Sequence, residues 1–125
     1  MTSSEIKYLT VLKELQDGGG RVRAVDLADR LVCAKPSVTR AMEKLVRRRF
    51  VKRTPEREFC LTEQGRELAE RYRRELDFLR AMLTDRVGLH PNCARADALA
   101  ILGAISEECE NKLCELLREK YGTVN

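Results

Sequence analysis

Apolar residues at Ile6, Leu9, Leu12 and Leu15 recur at the spacing of one helix face, and Thr2 with Glu5 has the spacing of a capping box ahead of them. Gly18-Gly19-Gly20 ends this first helix, and residues 21–23 read as a short extended link. A second helix follows over residues 24–31, with Leu27, Ala28 and Leu31 turned inward. After the short turn Val32-Cys33-Ala34-Lys35, Pro36 stands at the first position of a third helix, where its fixed φ and missing N–H cost little. That helix runs to about Arg48 with two unlike faces. Val38, Ala41, Met42 and Leu45 form an inner row, while Ser37, Arg40, Lys44 and Arg47 lie along the outer one.

Residues 50–53 and 58–61 read as two short strands around the turn Thr54-Pro55-Glu56-Arg57. Thr62 then caps a long helix whose row Leu68, Tyr72, Leu76, Leu79 and Leu83 persists to Arg86, about 35 Å at the usual rise per residue. Gly88 and Pro91 break it. A fifth helix over residues 94–105 is apolar on nearly every side toward its end, at Leu99, Ile101, Leu102, Ala104 and Ile105. Such a helix needs cover all round, and in a chain this small a second subunit is the natural source. Ser106 with Glu107 and Glu108 opens a last helix reaching about Glu119. The expected fold is mainly α: a winged helix-turn-helix over residues 1–61, then an α-helical dimerisation region over residues 62–125.

Charge sharpens this picture. The chain carries a net +4, but from Lys35 to Glu58 nine bases face only three acids, and from Glu107 onward five acids face three bases. A local excess of cations on a winged helix-turn-helix points to a polyanion, double-stranded DNA. The third helix would then lie in the major groove, with Ser37, Thr39 and Arg40 nearest the base edges. Arg40 is the leading base reader, since a guanidinium pairs bidentately with guanine O6 and N7. Lys44, Arg47, Arg48 and Lys52 suit phosphates, which position a protein without reading sequence. Arg57 at the wing tip suits a phosphate or the minor groove.

Other chemistries find little support. There is one histidine, His90, and no Ser/His/Asp or Cys/His arrangement, phosphate loop or isolated carboxylate pair, so no enzyme is expected. The N-terminus lacks the pattern of a secretory signal. The longest apolar stretch, residues 98–105, falls far short of the roughly 20 needed to span a bilayer. Five cysteines without paired spacing fit the reduced thiols of a cytosol.

The chain also resembles the family of metal-dependent repressors that includes the diphtheria toxin repressor and the manganese transport regulator. The likeness covers nearly its whole length. It rests on Glu14-Leu15, Val25-Asp26-Leu27-Ala28, Pro36-Ser37-Val38-Thr39, Leu61-Thr62 with Gly65, and Leu83-Thr84-Asp85 with Gly88-Leu89. The resemblance implies a homodimer on a pseudo-palindromic operator, one winged head in each half-site. It also implies activation by Fe²⁺ or Mn²⁺. Extending the match without gaps places the family's ligand positions on Lys7, Leu76, Arg80, Arg95, Leu99, Leu102 and Gly103. None carries the carboxylate, imidazole or sulfur these ions bind. Leu99, Leu102 and Gly103 read instead as dimer-side positions, and no cofactor is expected.

The sequence therefore reads as a homodimeric, metal-independent repressor. One alternative is a regulator sensing a metal or thiol reagent at His90, Cys93, Cys109 and Cys114, although Cys109 and Cys114 lie about 140° apart around a helix. Another is a winged-helix module whose basic face docks an acidic protein. Cys33 and Cys60 sit as small apolar residues in the turn and the wing.

Overall fold

In the computed structural model, which describes residues 1–121, Ile6, Leu9 and Leu12 are completely withdrawn from water along one face of α1 (Ser3–Asp17). The order continues with α2 (Ala24–Leu31), α3 (Lys35–Arg47), β1 (Val51–Arg53), β2 (Phe59–Leu61) and α4 (Glu63–Met82). One π-helical turn (Leu83–Val87) extends α4, and α5 (Pro91–Ala104) and α6 (Glu107–Tyr121) follow. The chain packs as two units. One is Ser4–Arg71; the other joins Met1–Ser3 to the chain from Tyr72 onward. The packing thus gives the first turns of α4 to the winged unit.

In the winged unit, Leu27 and Ala28 of α2 and Val38, Met42 and Leu45 of α3 join the α1 row, with Val22, Val51, Phe59, Leu61 and Ala69 closing the core. Leu31 is only half-buried, because α2 ends there. Its chain reversal runs through Val32 in the left-handed conformation (φ 53°), with the Cys33 N–H donating to the Ala28 carbonyl at 3.1 Å. Pro36 occupies the second position of α3, since the helix begins at Lys35. Its missing N–H costs as little there, because every N–H of the first turn lacks a partner within the helix.

The end of α3 is a Schellman motif. The Arg49 N–H donates to Val46 and the Phe50 N–H to Leu45, at 3.0 and 3.1 Å, while Arg49 takes the left-handed conformation (φ 66°) usual for glycine. This turn removes Phe50 from the expected strand. The Phe50 carbonyl accepts from Thr62 N–H at 3.0 Å, and Gly65 packs against it so closely that a Cβ would lie 1.8 Å from that oxygen. Only glycine fits at residue 65.

The wing pairs β1 with β2 antiparallel, Val51 opposite Leu61 and Arg53 opposite Phe59. Residues 21–23, expected as a plain link, add a third short segment. Arg23 bridges Glu58, and the Phe59 N–H donates to the Val22 carbonyl at 2.7 Å. Behind it, Lys13 is buried against Asp17 and Glu70, and Arg66 meets Asp17 at 3.1 Å. Lys13, and after it Arg66, hold the Asp17 carboxyl below its ordinary pKa. The cluster therefore supports folding at neutral pH, and that support fades as pH falls through the depressed value.

In the second unit, Tyr72, Glu75, Phe78 and Leu79 of α4 are buried with Ala94, Ala98 and Leu102 of α5. Leu68, Leu76 and Leu83, expected in the apolar row, are half-buried. Helix α5 begins earlier than expected. His90 caps it, its Nδ1 accepting the Asn92 N–H at 3.1 Å, and Pro91 is the first helical residue. Within one protomer α5 is covered on one face only: Leu102 is buried, while Leu99, Ile101 and Ile105 keep partial exposure and Ala100 and Ala104 are open. Ser106 caps α6 as expected, accepting from the Cys109 N–H at 3.1 Å. Among the described residues no helix is long and apolar enough to cross a membrane.

Val32 offers a test of the turn between α2 and α3. It is β-branched, 89% exposed and left-handed, so it gives up conformational energy with almost no burial in return. Val32→Asn should raise stability by about 1 kcal/mol, read as a higher urea midpoint at unchanged slope. An unmoved midpoint would mean that the turn carries no such strain.

Candidate nucleic-acid interface

The two faces of α3 divide as cleanly as their sequence does. Val38, Met42 and Leu45 are fully buried and fix the helix from behind, whereas Arg40, Lys44 and Arg47 are exposed. Ser37 and Thr39 are half-buried near its start, and the Thr39 hydroxyl donates to the Lys35 carbonyl at 3.1 Å. Lys52 is exposed on β1, and Arg57 is exposed in the wing turn with a left-handed backbone (φ 63°). Arg57 closes that turn through its N–H to the Thr54 carbonyl at 3.0 Å, which carries its side chain at the wing tip.

Arg48 differs from its neighbours. Its guanidinium donates to Glu5 Oε2 at 2.7 Å and lies over the Phe50 ring, 5.4 Å from the centroid. Lys44 Nζ is 3.9 Å from the same oxygen. Sequence reasoning missed this anchor, although a signal for it exists: Glu5 stands four and seven residues before Leu9 and Leu12, on the apolar face of α1. Arg53 was likewise not singled out. It sits over the Phe59 ring at 5.6 Å and meets Glu43 at 3.9 Å, which ties the wing to α3.

Of the cysteines, Cys33 is half-buried with its thiol 3.8 Å from the Tyr8 hydroxyl, and burial, with this contact, pushes the Tyr8 phenol above its ordinary pKa. Cys60 is half-buried against the Lys52 carbonyl. Cys93 and Cys109 are exposed, and Cys114 donates to the buried Glu75 carboxylate at 2.6 Å. His90 uses Nδ1 as a helix cap. Among the described residues no group of three or more His, Cys, Asp or Glu side chains converges as a metal site would.

Residues 62–120 match the family described as iron dependent repressor, metal binding and dimerisation domain, and residues 6–55 match the IclR helix-turn-helix domain. The diphtheria toxin repressor of Corynebacterium glutamicum is 29% identical over 114 residues, covering 91% of this chain and 50% of its own. The transcriptional regulator MntR of Escherichia coli O157:H7 is 29% identical over 115 residues, covering 92% and 73%. Over nearly its whole length the chain is similar to the diphtheria-toxin-repressor and MntR family. It spans about half the length of the diphtheria toxin repressors it matches and about three quarters of MntR. Two solved structures share the family fold: the manganese regulator SloR (TM-score 0.79, 19% identity, 94% of this chain and 55% of that one) and IdeR of T. acidophilum (0.70, 20%, 94% and 54%).

The family's metal can be tested against the residues at the positions implied for its ligands. Lys7 and Arg95 are exposed cations, and Arg80 is paired with Asp77 at 3.2 Å. Leu76 and Leu99 are half-buried hydrocarbon, and Leu102 is buried in its own protomer. Gly103 is the most restrictive. A Cβ there would lie 2.5 Å from the backbone nitrogen of Ser3, the first residue of α1. No side chain, ligand or otherwise, fits at residue 103 without moving backbone. These positions do not fit Fe²⁺ or Mn²⁺.

Gly103→Ala should accordingly destabilise the fold by about 1–3 kcal/mol, since the obstructing atom is main chain and cannot rotate aside. Chemical denaturation measures this directly. A neutral result would show that Ser3 is not seated against α5.

Proposed function

We propose that this chain is a sequence-specific, homodimeric transcriptional repressor that binds double-stranded DNA without needing the Fe²⁺ or Mn²⁺ of its family. The observation that carries the DNA reading is α3, locked from behind by Val38, Met42 and Leu45 while it offers Arg40, Lys44 and Arg47 to solvent beside a basic wing. In this reading residues 1–61 dock each head on one half of a pseudo-palindromic operator, and residues 62–125 dimerise. Ser37, Thr39 and Arg40 face base edges. Lys44, Arg47, Lys52 and Arg57 hold phosphates, which orient the head but read no sequence. Arg48 belongs to this set by position, yet reaches a phosphate only by leaving Glu5.

Metal independence rests on donor chemistry. Positions where the family's ligands are implied carry guanidinium, ammonium, hydrocarbon or no side chain at all. Leu99 and the open side of α5 fit the dimer contact better than Leu102, which its own protomer already covers. The names of the relatives, diphtheria toxin repressor and transcriptional regulator MntR, support repression as the outcome.

Fluorescence anisotropy with the DNA upstream of the protein's own gene tests both parts. Tight, sequence-selective binding in chelator, unchanged by added Mn²⁺ or Fe²⁺, is the expected result. Binding only with metal would refute metal independence and direct attention to His90, Cys93, Cys109 and Cys114. Binding to no duplex would favour an acidic protein as the partner of the basic face.

Arg40→Ala should relax discrimination at one operator position, at a cost of about 1–3 kcal/mol for the preferred base pair. Unaltered base preference across a randomised operator library would remove Arg40 as a reader.

A further inference from the structure

The Glu5 carboxylate meets two cations at the C-terminal end of the recognition helix. Its side chain is only 10% exposed, and it holds Arg48 at 2.7 Å with Lys44 3.9 Å away. Both cations stand on the last turn and C-cap of α3, where a groove-bound helix meets the phosphate backbone. Arg48 is also stacked on Phe50, so its guanidinium is held by a charge and by a ring together. Arg48 keeps 42% of its side chain exposed and Lys44 55%. Neither would be stranded in a dry interior if Glu5 lost its charge.

We infer that Glu5 is a positioning residue that withholds Arg48 from DNA phosphates, and so limits the number of cations the recognition face brings to a duplex. The inference rests on the DNA-binding reading above. The physical reasoning is a competition. A phosphate of the duplex and the Glu5 carboxylate offer the same guanidinium the same kind of charge-assisted bond. Glu5 is preorganised beside Arg48, within a shielded pocket. A duplex must come from solution and give up bound counterions. Arg48 therefore stays with Glu5 in the complex, and Arg40, Lys44, Arg47, Lys52 and Arg57 carry the docking. Because phosphate contacts are blind to sequence, an acid placed here restrains attachment to DNA of any sequence.

The test is the salt dependence of binding of the intact protein to a mixed-sequence duplex, for wild type, Glu5→Gln, Arg48→Gln and the double variant. Gln keeps the size of each side chain and removes the charge. Glu5→Gln should tighten binding and steepen the slope of log K against log salt by about 0.9, the contribution of one added phosphate contact. Between 50 and 200 mM salt that is an extra loss of about 3.5-fold in affinity. Arg48→Gln alone should leave the slope unchanged, and in the Glu5→Gln background it should cancel the gain.

If Arg48→Gln flattens the wild-type slope by about 0.9, Arg48 already grips a phosphate and the inference is overturned. If Glu5→Gln weakens binding without steepening the slope, Glu5 only supports the fold, and the inference is overturned again. Should Glu5→Gln fail to fold, the Arg48→Gln slope still decides. A wild-type protein that binds no duplex at all would instead defeat the DNA reading itself, a result distinct from these.

Discussion

What the winged unit presents to solvent depends on three side chains, Val38, Met42 and Leu45, being fully removed from water. They make α3 a rigid beam held from one side. Only a helix held in that way can offer a row of long, flexible cations at fixed points along a groove. The remaining head elements brace this beam. The α1 row of Ile6, Leu9 and Leu12 is buried in the same unit, α2 packs against the beam, and the Schellman turn at Arg49 and Phe50 sets where it stops. Gly65 then lets α4 begin directly against Phe50.

Much of this could be read from the chain because the signals were periodic and local. The inner and outer faces of α3 alternate at helical spacing, the wing strands flank a proline-containing turn, and Ser106 stands where a cap belongs. The elements that escaped the reading are those set by contacts distant in sequence. Nothing near Arg23 announces that it will bridge Glu58, and nothing near Phe50 announces that two N–H groups will fold back on α3. The sequence pattern, with Pro91 as a breaker, predicts that α5 starts at Ala94, whereas the helix starts at Pro91 itself. Preceded by a histidine that accepts the Asn92 N–H, the same proline is a starter.

The site showed the same division. Exposed cations on an amphipathic helix are a sequence pattern, and Arg40, Lys44, Arg47, Lys52 and Arg57 lie on the surface as that pattern requires. Which cation is already engaged is a tertiary fact, and Arg48 is the case in point. The implied metal positions illustrate a further distinction. The absence of donors at Leu76, Leu99 and Leu102 is visible in one-letter code. The reason residue 103 has no side chain becomes visible only once Ser3 is found against it.

The wing has one more consequence, for the behaviour of the protein in concentrated solution. With β2 flanked by β1 and by the bridge at Arg23, β1 is left as an outer strand of the small sheet, and its residues Lys52 and Arg53 are exposed. An unpaired strand edge invites another chain to add to it, and like charges along the edge discourage that addition. The lysine at residue 52 thus guards against self-association as well as suiting a phosphate. Exchanging it for an apolar residue would expose the edge and mix aggregation with weakened docking, whereas a polar replacement of similar length keeps the two effects apart.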